Sequence, residues 1–239
     1  DMRLLELKPN YVKVSVIIPT INEVTAIARA ARSAWNAGAD EVIVVDGGSV
    51  DETIATARSA GCDVVVSAPG RATQQNAGAA RSVGDVLLFL HADNQLSPTA
   101  IEQARELLAN ASIKCGAYRQ RIDAKGLAYR MLERGNAWRV RCCGLPYGDQ
   151  AIFMHRELFE SLGGFPEVKL MEDVLIMKKA RQVAWPRLLD GPVYVDARRW
   201  QRHGVIRQTL RNWMLLAAHQ VGCSPDSLAN YYRRHDAAK

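Results

Sequence analysis

Three short clusters of acids in this chain could do chemistry. Asp46-Gly47-Gly48-Ser49 and His91-Ala92-Asp93-Asn94 each follow directly on an apolar run, and Glu172-Asp173 opens a helical pattern. An ionised carboxylate accepts hydrogen bonds, ligates hard cations such as Mg²⁺, and takes a proton from a reacting hydroxyl. The run ahead of the second cluster, Val86-Leu87-Leu88-Phe89-Leu90, is too short for a helix and reads as a strand buried on both faces. A carboxylate at the end of such a strand is costly to leave unpaired in a dry interior, so Asp93 is expected to face a cleft. Plainer readings stand beside each cluster. Asp46 could simply fill a turn, Asp93 could precede a helix without binding anything, and Glu172-Asp173 could do no more than suit a helix dipole.

The elements that must position these residues alternate regularly. Val12 to Pro19 reads as a buried strand, and Thr20-Ile21-Asn22-Glu23 has the T-x-x-E spacing of a capping box for a helix to about Ala37. Glu41 to Val45 is the next strand, and Ser49-Val50-Asp51-Glu52 is a second capping box, for a helix to about Ala60. Val64 to Val66 gives a third strand, residues 71 to 83 a small-residue helix, and Val86 to Leu90 the fourth strand. Ser97-Pro98 then predicts an N-cap and a first-turn proline for a helix to about Ala109. Four such alternations predict an α/β fold, an open and mainly parallel sheet flanked by helices. Ligands of these sheets bind outside the carboxyl ends of the strands, so residues 19–23, Asp46 and Asp93 are expected to converge.

After residue 112 the rhythm loosens. The pattern predicts a strand at Cys115 to Ile122, a helix at Leu127 to Val140, a strand at Ala151 to Met154, and helices at Leu158 to Leu162 and Glu172 to Gln182. Gly204 to Val221 places Ile206, Leu210, Trp213, Ala217 and Val221 on one helical stripe, expected by default to dock on the body; a dimer contact and a membrane surface are the alternatives. With no clean linker, residues 1–221 read as a single domain and 222–239 as a helical tail.

Bulk properties narrow the class. The chain has 239 residues of which 48% are hydrophobic, enough for a full core. It has no run of 18 apolar residues and no signal-peptide pattern, and its five cysteines show no C-x-x-C spacing, so a reduced, cytoplasmic protein is expected. The adjacent pair Cys142-Cys143 reads as two partly buried thiols. A net charge of +6 suits a phosphate-bearing ligand or an anionic membrane, and arginines concentrate late, at 198, 199, 202, 207, 211, 233 and 234. Nucleic acid is not an expected partner, because no recognition motif accompanies those arginines and aromatic residues are only 7%.

Six segments together resemble the family 2 glycosyltransferases of the GT-A fold: VIIPTINE at 16–23, VVDGGSVDET at 44–53, NAGAARSVGD at 76–85, LFLHADN at 88–94, GGFPE at 163–167 and MEDVLIMKKAR at 171–181. The HAD variant most resembles a small bacterial subgroup associated with radical-SAM and selenoprotein genes. The resemblance implies a Rossmann-like nucleotide-diphospho-sugar transferase fold and inverting transfer of a sugar from a nucleotide-diphosphate donor, UDP-linked by expectation, to a hydroxyl acceptor. It places Pro19, Asn22 and Glu23 along the nucleotide and Asp46 on a uracil-like base. Asp93 matches the second acid of the D-x-D signature, holding Mg²⁺ or Mn²⁺ against the diphosphate. Arg71 and His91 are expected near the phosphates or ribose, with Arg81 an even choice between that role and solvent, and Asp149 and Gln150 near the sugar. Asp173 matches the general base, supported by Glu172.

The chain departs from the pattern at three places. His91 replaces the first acid of D-x-D, and Gly47 replaces the second acid of V-D-D-G-S, which argues for weak cation affinity. Arg198-Arg199-Trp200 resembles the Q-x-x-R-W element, but Asp196 occupies the Gln position, which argues against polymerisation. The lone His203 could approach the metal from the carboxyl side, although a single histidine usually serves some other purpose. Two other readings stand beside this one: a nucleotidyltransferase, which would carry a basic glycine-rich loop where this chain has PTINE, and a basic module binding membrane or nucleic acid without catalysis. A moderate form keeps the enzyme and lets the Arg-rich carboxyl-terminal region meet a lipid-linked acceptor at the inner face of the membrane, or form a homodimer.

Overall fold

The computed structural model describes residues 11–229. Its elements are β1 (Val14–Thr20), α1 (Ile27–Asn36), β2 (Glu41–Asp46), α2 (Thr53–Ser59), β3 (Asp63–Val66), α3 (Arg71–Arg81), β4 (Val86–Phe89), β5 (Asn94–Leu96) and α4 (Ala100–Leu108). There follow β6 (Cys115–Ile122), α5 (Leu127–Cys143), a 3-10 turn (Gly148–Gln150), β7 (Phe153–His155), α6 (Arg156–Ser161), α7 (Glu172–Val183), β8 (Arg187–Val195), α8 (Arg198–His203) and α9 (Val205–Gln220).

One eight-stranded sheet runs in the order β3-β2-β1-β4-β7-β6-β8-β5. The first four strands are mutually parallel, β7 is antiparallel to both β4 and β6, β8 is parallel to β6, and β5 is antiparallel to β8. The predicted α/β architecture is therefore the one found, with its parallel half at the amino end. In β1 the side chains alternate between two cores: Val14, Val16 and Ile18 pack with α1 and α4, and Ile17 packs with α3, α6 and α7. A strand buried on both faces needs no polar alternation, which is why these strands read as unbroken apolar runs.

Helix α3 packs tightly on the sheet at Gly78. A Cβ built on Gly78 would stand 2.4 Å from Ile17 Cγ2 and 2.9 Å from Val45 Cγ2, so only glycine permits this approach. Four residues earlier, the buried Gln74 donates from Nε2 to the carbonyls of Thr20 and Val45, both at 2.8 Å. One helix face thus presses on two strands and satisfies the carbonyls at their ends.

Several local expectations fail, each for a physical reason. Neither capping box forms. The Thr20 carbonyl is taken by Gly47 N and Gln74, α1 begins only at Ile27, and the Ser49 hydroxyl donates to Asp46 instead of capping α2. The chain at Ser97-Pro98 continues past Thr99 before α4 starts, because Ser97 N–H is held by Pro192 on β8. Strand β8 was not predicted; its Asp190-Gly191-Pro192 reads as a turn, and the structure absorbs those residues as a register shift opposite Arg119. Strand β5, three residues long and polar in part, carries no usable period.

The stripe on α9 also departs from expectation. Leu210 and Trp213 are exposed, and Gln208 and Leu215 are buried, so the helix docks through the opposite face. Residues 225–229 are helical, and Arg233 and Arg234 lie outside the described residues, as do the side chains of Arg199 and His203. No helix among the described residues is long and apolar enough to cross a membrane.

Gly78→Val is expected to destabilise the protein by about 1–3 kcal/mol through overpacking against Ile17 and Val45. Urea unfolding checks it, and an unchanged midpoint would show that α3 can withdraw from the sheet at no cost.

Candidate active site

The site lies at the carboxyl ends of the parallel strands, where β4 stops and the chain runs through His91-Ala92-Asp93 into β5. Asn94 pairs with Val195, so the start of β5 lies beside the end of β8 and sets Asp93 next to Asp196 and Arg198. Arg198 donates from its backbone N–H to Asp196 Oδ1 at 2.7 Å, and its Nε lies 2.7 Å from Asp196 Oδ2. Its outer nitrogen stands 4.0 Å from Asp93 Oδ2. A guanidinium is thereby held over two carboxylates in a partly open cleft.

The opposite wall is the start of α7. Met171, at φ 67°, turns the backbone into the left-handed region just before Glu172-Asp173. For a non-glycine residue this conformation costs on the order of 1–3 kcal/mol and persists only where the surroundings impose it. The Asp173 carboxylate accepts from Gly148 N–H at 2.6 Å and from Val174 N–H at 2.7 Å. Gly148 is itself wedged between groups of the site: a Cβ there would stand 2.8 Å from His91 Nε2 and 3.3 Å from Asp173 Oδ2. A side chain at this position would push the two apart.

Asp93, His91, Arg71, Asp149 and Asp173 all line one cleft, together with Asn94, Tyr147, Asp196, Arg198 and Trp200. Helix α9 covers it with Gln208, Asn212, Leu215 and Leu216. Gln208 is buried, donates to Asn212 Oδ1 at 3.1 Å, and keeps an Oε1 without a hydrogen-bond partner among the described residues. Glu23, from the loop after β1, completes the acidic side: burial, then repulsion from Asp93, raises its pKa, with Arg198 opposing.

Glu172 and Arg71 make a pair of unequal environments. The Glu172 side chain is 2% exposed and its Oε1 lies 3.1 Å from Arg71, whose side chain is 45% exposed. Burial raises the Glu172 pKa, Arg71 lowers it, and the neighbouring Asp173 raises it again. Arg71 therefore anchors the start of α7 while its outer surface still faces the cleft.

Five sequence-predicted residues lie elsewhere. Asp46 is fully buried; its carboxylate accepts from Gly48 N and Ser49 N, both at 2.8 Å, and from the Ser49 hydroxyl. These bonds hold the turn after β2, and Asp46 is not among the residues that line the cleft. Gln150 is likewise buried, its Oε1 accepting from Arg139 at 2.7 Å and Tyr147 N at 3.2 Å, and its Nε2 donating to Tyr118 O at 3.4 Å. These bonds brace the 3-10 turn, and Gln150 is not among the residues that line the cleft. Asn22, at φ 54°, ties the loops after β1 and β2 together through Val50 N at 2.9 Å and Ser49 Oγ at 2.8 Å. Pro19 is partly buried at the end of β1, behind that knot, and Arg81 pairs with Asp63 at 2.8 Å on the surface.

Sequence reasoning missed Asp196 as a cleft residue, together with Gln208 and Asn212. Asp196 sits at the end of a strand hidden by turn residues, and nothing in one dimension marks Gln208 and Asn212 as the inward face of α9.

For a divalent cation, the donor set is suitable but sparse. Asp93, with a side chain 38% exposed, offers a hard oxygen to the cleft, and Asp196 lies on the far side of Arg198. No group of three His, Cys, Asp or Glu among the described residues could hold an ion alone. That fits an ion of the Mg²⁺ type, which one or two carboxylates hold jointly with substrate phosphates.

Comparison with solved structures gives the same fold. The chain is similar to S. aureus TarS 1–349 in complex with UDP-GlcNAc, with TM-score 0.63 and 20% identity over 77% of this chain and 58% of that one. It is also similar to glucosyl-3-phosphoglycerate synthase from Mycobacterium tuberculosis in complex with Mn²⁺, UDP and glucosyl-3-phosphoglycerate, with TM-score 0.59 and 21% identity over 82% of this chain and 74% of that one. The alignment thus spans less than two thirds of the TarS chain in that complex. A comparison with curated protein sequences finds no match. The family model described as glycosyl transferase family 2 matches residues 15–163, which takes in β1 through α6 and both loops that carry Asp46 and Asp93, and the chain belongs to that family.

Proposed function

We propose that this glycosyltransferase moves a sugar from a UDP-linked donor to a hydroxyl acceptor with inversion at the anomeric carbon, and that Asp173 is the general base. The observation that carries the reading is the cleft itself: Asp93 and Asp173 come from opposite walls, the first beside a fixed guanidinium and the second held by two backbone N–H groups. The UDP complexes of the two structural neighbours support the choice of donor.

In this reading the donor diphosphate lies against Asp93 and Arg198. Breaking the bond between anomeric carbon and phosphate oxygen leaves negative charge on the diphosphate, which the Arg198 guanidinium faces directly. Mg²⁺ or Mn²⁺, held by Asp93, would supply further neutralisation of that charge as a Lewis acid. The acceptor hydroxyl attacks from the Asp173 side, and its proton passes to that carboxylate as the new bond to carbon forms. Two hydrogen bonds use only part of a carboxylate's acceptor capacity, about four lone-pair sites, so Asp173 can still take the proton. Glu172 and Arg71 keep the first turn of α7 in place, and Asp149 meets the sugar side of the cleft. Glu23 adds negative charge beside Asp93, which favours a cation there. Asp46, Asn22 and Gln150 act as scaffold for the loops that form the donor side.

Asp173→Asn is expected to lower kcat by roughly 10²- to 10⁴-fold while UDP binding measured by calorimetry is unchanged. Equal activity in the variant would remove Asp173 as the base. Asp93→Ala is expected to abolish the dependence of UDP affinity on Mn²⁺; if wild-type protein binds no UDP with or without the ion, the donor assignment fails. Release of UDP, and not of pyrophosphate, separates this chemistry from nucleotidyl transfer. Gly148→Ala is expected to reduce kcat more than UDP affinity, because the added Cβ displaces His91 or Asp173.

A further inference from the structure

Helix α9 turns Gln208, Asn212, Leu215 and Leu216 to the protein and a second, apolar face to solvent. Gln208 and Asn212 line the cleft, whereas Ile206, Leu210, Trp213, Met214, Ala217 and Val221 are all exposed. At 3.6 residues per turn these six fall in a single arc about 100° wide, the width of the stripe that a surface helix ordinarily buries. Trp213 is 64% exposed and Ile206 75% exposed, so the arc is wholly uncovered among the described residues.

The charge around the arc names its partner. From Ala197 to Pro225 the chain carries no acid, while arginines stand at 198, 199, 202, 207 and 211. Arg207 flanks the arc and, like Arg202, is exposed. A second copy of this face would bring arginine against arginine, whereas an anionic surface pairs with the exposed Arg202 and Arg207. Tryptophan on an apolar arc bordered by arginine is the composition of a helix lying in the boundary between lipid headgroups and acyl chains.

We propose that α9 seats the protein on an anionic lipid bilayer, its apolar arc at the acyl boundary and its arginines on the lipid phosphates. The opposite face of the same helix lines the cleft, so the bilayer surface and the catalytic groups are separated by roughly one helix diameter, about 10 Å. On the glycosyl-transfer reading above, this geometry makes the acceptor an amphiphile that carries its hydroxyl in the headgroup layer.

Sedimentation of the full chain with phosphatidylglycerol vesicles and with phosphatidylcholine vesicles, at low and high salt, tests the docking. Binding is expected to the anionic vesicles, to weaken with salt, to fall about fivefold for each of Arg202→Gln and Arg207→Gln, and to fall more than about tenfold in the double variant Leu210→Gln, Trp213→Gln. The substituted side chains are exposed, so the thermal midpoint and UDP affinity should stay as in wild type; they serve as the check that the fold is intact. Absence of vesicle binding, equal binding to both lipids, or binding unaffected by Leu210→Gln, Trp213→Gln overturns the proposal. A concentration-dependent dimer lost in that double variant would overturn it too, by assigning the face to a second copy. A protein that binds vesicles but not UDP would leave docking standing and sink the donor reading instead.

Discussion

A sheet whose strands are buried on both faces has only its ends for polar chemistry, and the rest of this structure follows from that constraint. Ile17, Ile18, Val44, Val45, Leu87 and Leu88 have no exposure at all, so no ligand can reach the sheet from either side. Backbone carbonyls at the strand ends then need partners, and carboxylates placed there need either partners or solvent. The molecule uses both solutions. Gln74 closes the ends of β1 and β2, the Asp46 turn closes β2 as well, and after β4 and β8 the chain leaves its acids, Asp93 and Asp196, at the cleft.

That division explains two aspartates of similar local sequence with different roles. Asp46 is followed by Gly47-Gly48-Ser49, whose backbone N–H groups fold back onto the carboxylate. Asp93 is followed by Asn94, which enters β5 and pairs with β8, so the backbone beyond it is already committed to a ladder. With no local donor, Asp93 faces the group that β8 delivers, the guanidinium of Arg198. The Asp46 carboxylate is closed by its own loop, and that of Asp93 stays 38% exposed at the cleft.

The opposite wall shows the same economy of donors. Asp173 is held by Gly148, from a turn that Gln150, Arg139 and Tyr147 brace, and by the Val174 N–H in the first turn of its own helix. The non-glycine residues in the left-handed region, Asn22, Ala151 and Met171, each sit next to one of these loops or turns. Local strain of this sort is tolerated where surrounding hydrogen bonds fix the chain, and it aims side chains that relaxed backbone would not. Helix α9 extends the arrangement outward, with Gln208, Asn212, Leu215 and Leu216 toward the cleft and a second, apolar face toward whatever lies beyond it.

Period and punctuation alone determined the alternation of strands and helices through α4, the two-sided burial of β1, β2 and β4, and the position of Asp93 and Asp173 at element ends. These are local properties: apolar run length, glycine stops and acids at helix starts are written in neighbouring residues. The capping boxes at Thr20 and Ser49, equally local, failed because Gly47 and Gln74 take the Thr20 carbonyl and the Ser49 hydroxyl is shared between Asp46 and the Asn22 N–H. Only the tertiary structure could decide that Asp46 and Gln150 are buried braces, that a strand containing Asp190-Gly191-Pro192 brings Asp196 and Arg198 to Asp93, and which face of α9 turns inward. Each of those depends on which donor or surface, distant in sequence, comes closest in space, and that distance is set by the packed sheet and not by the spacing of residues along the chain.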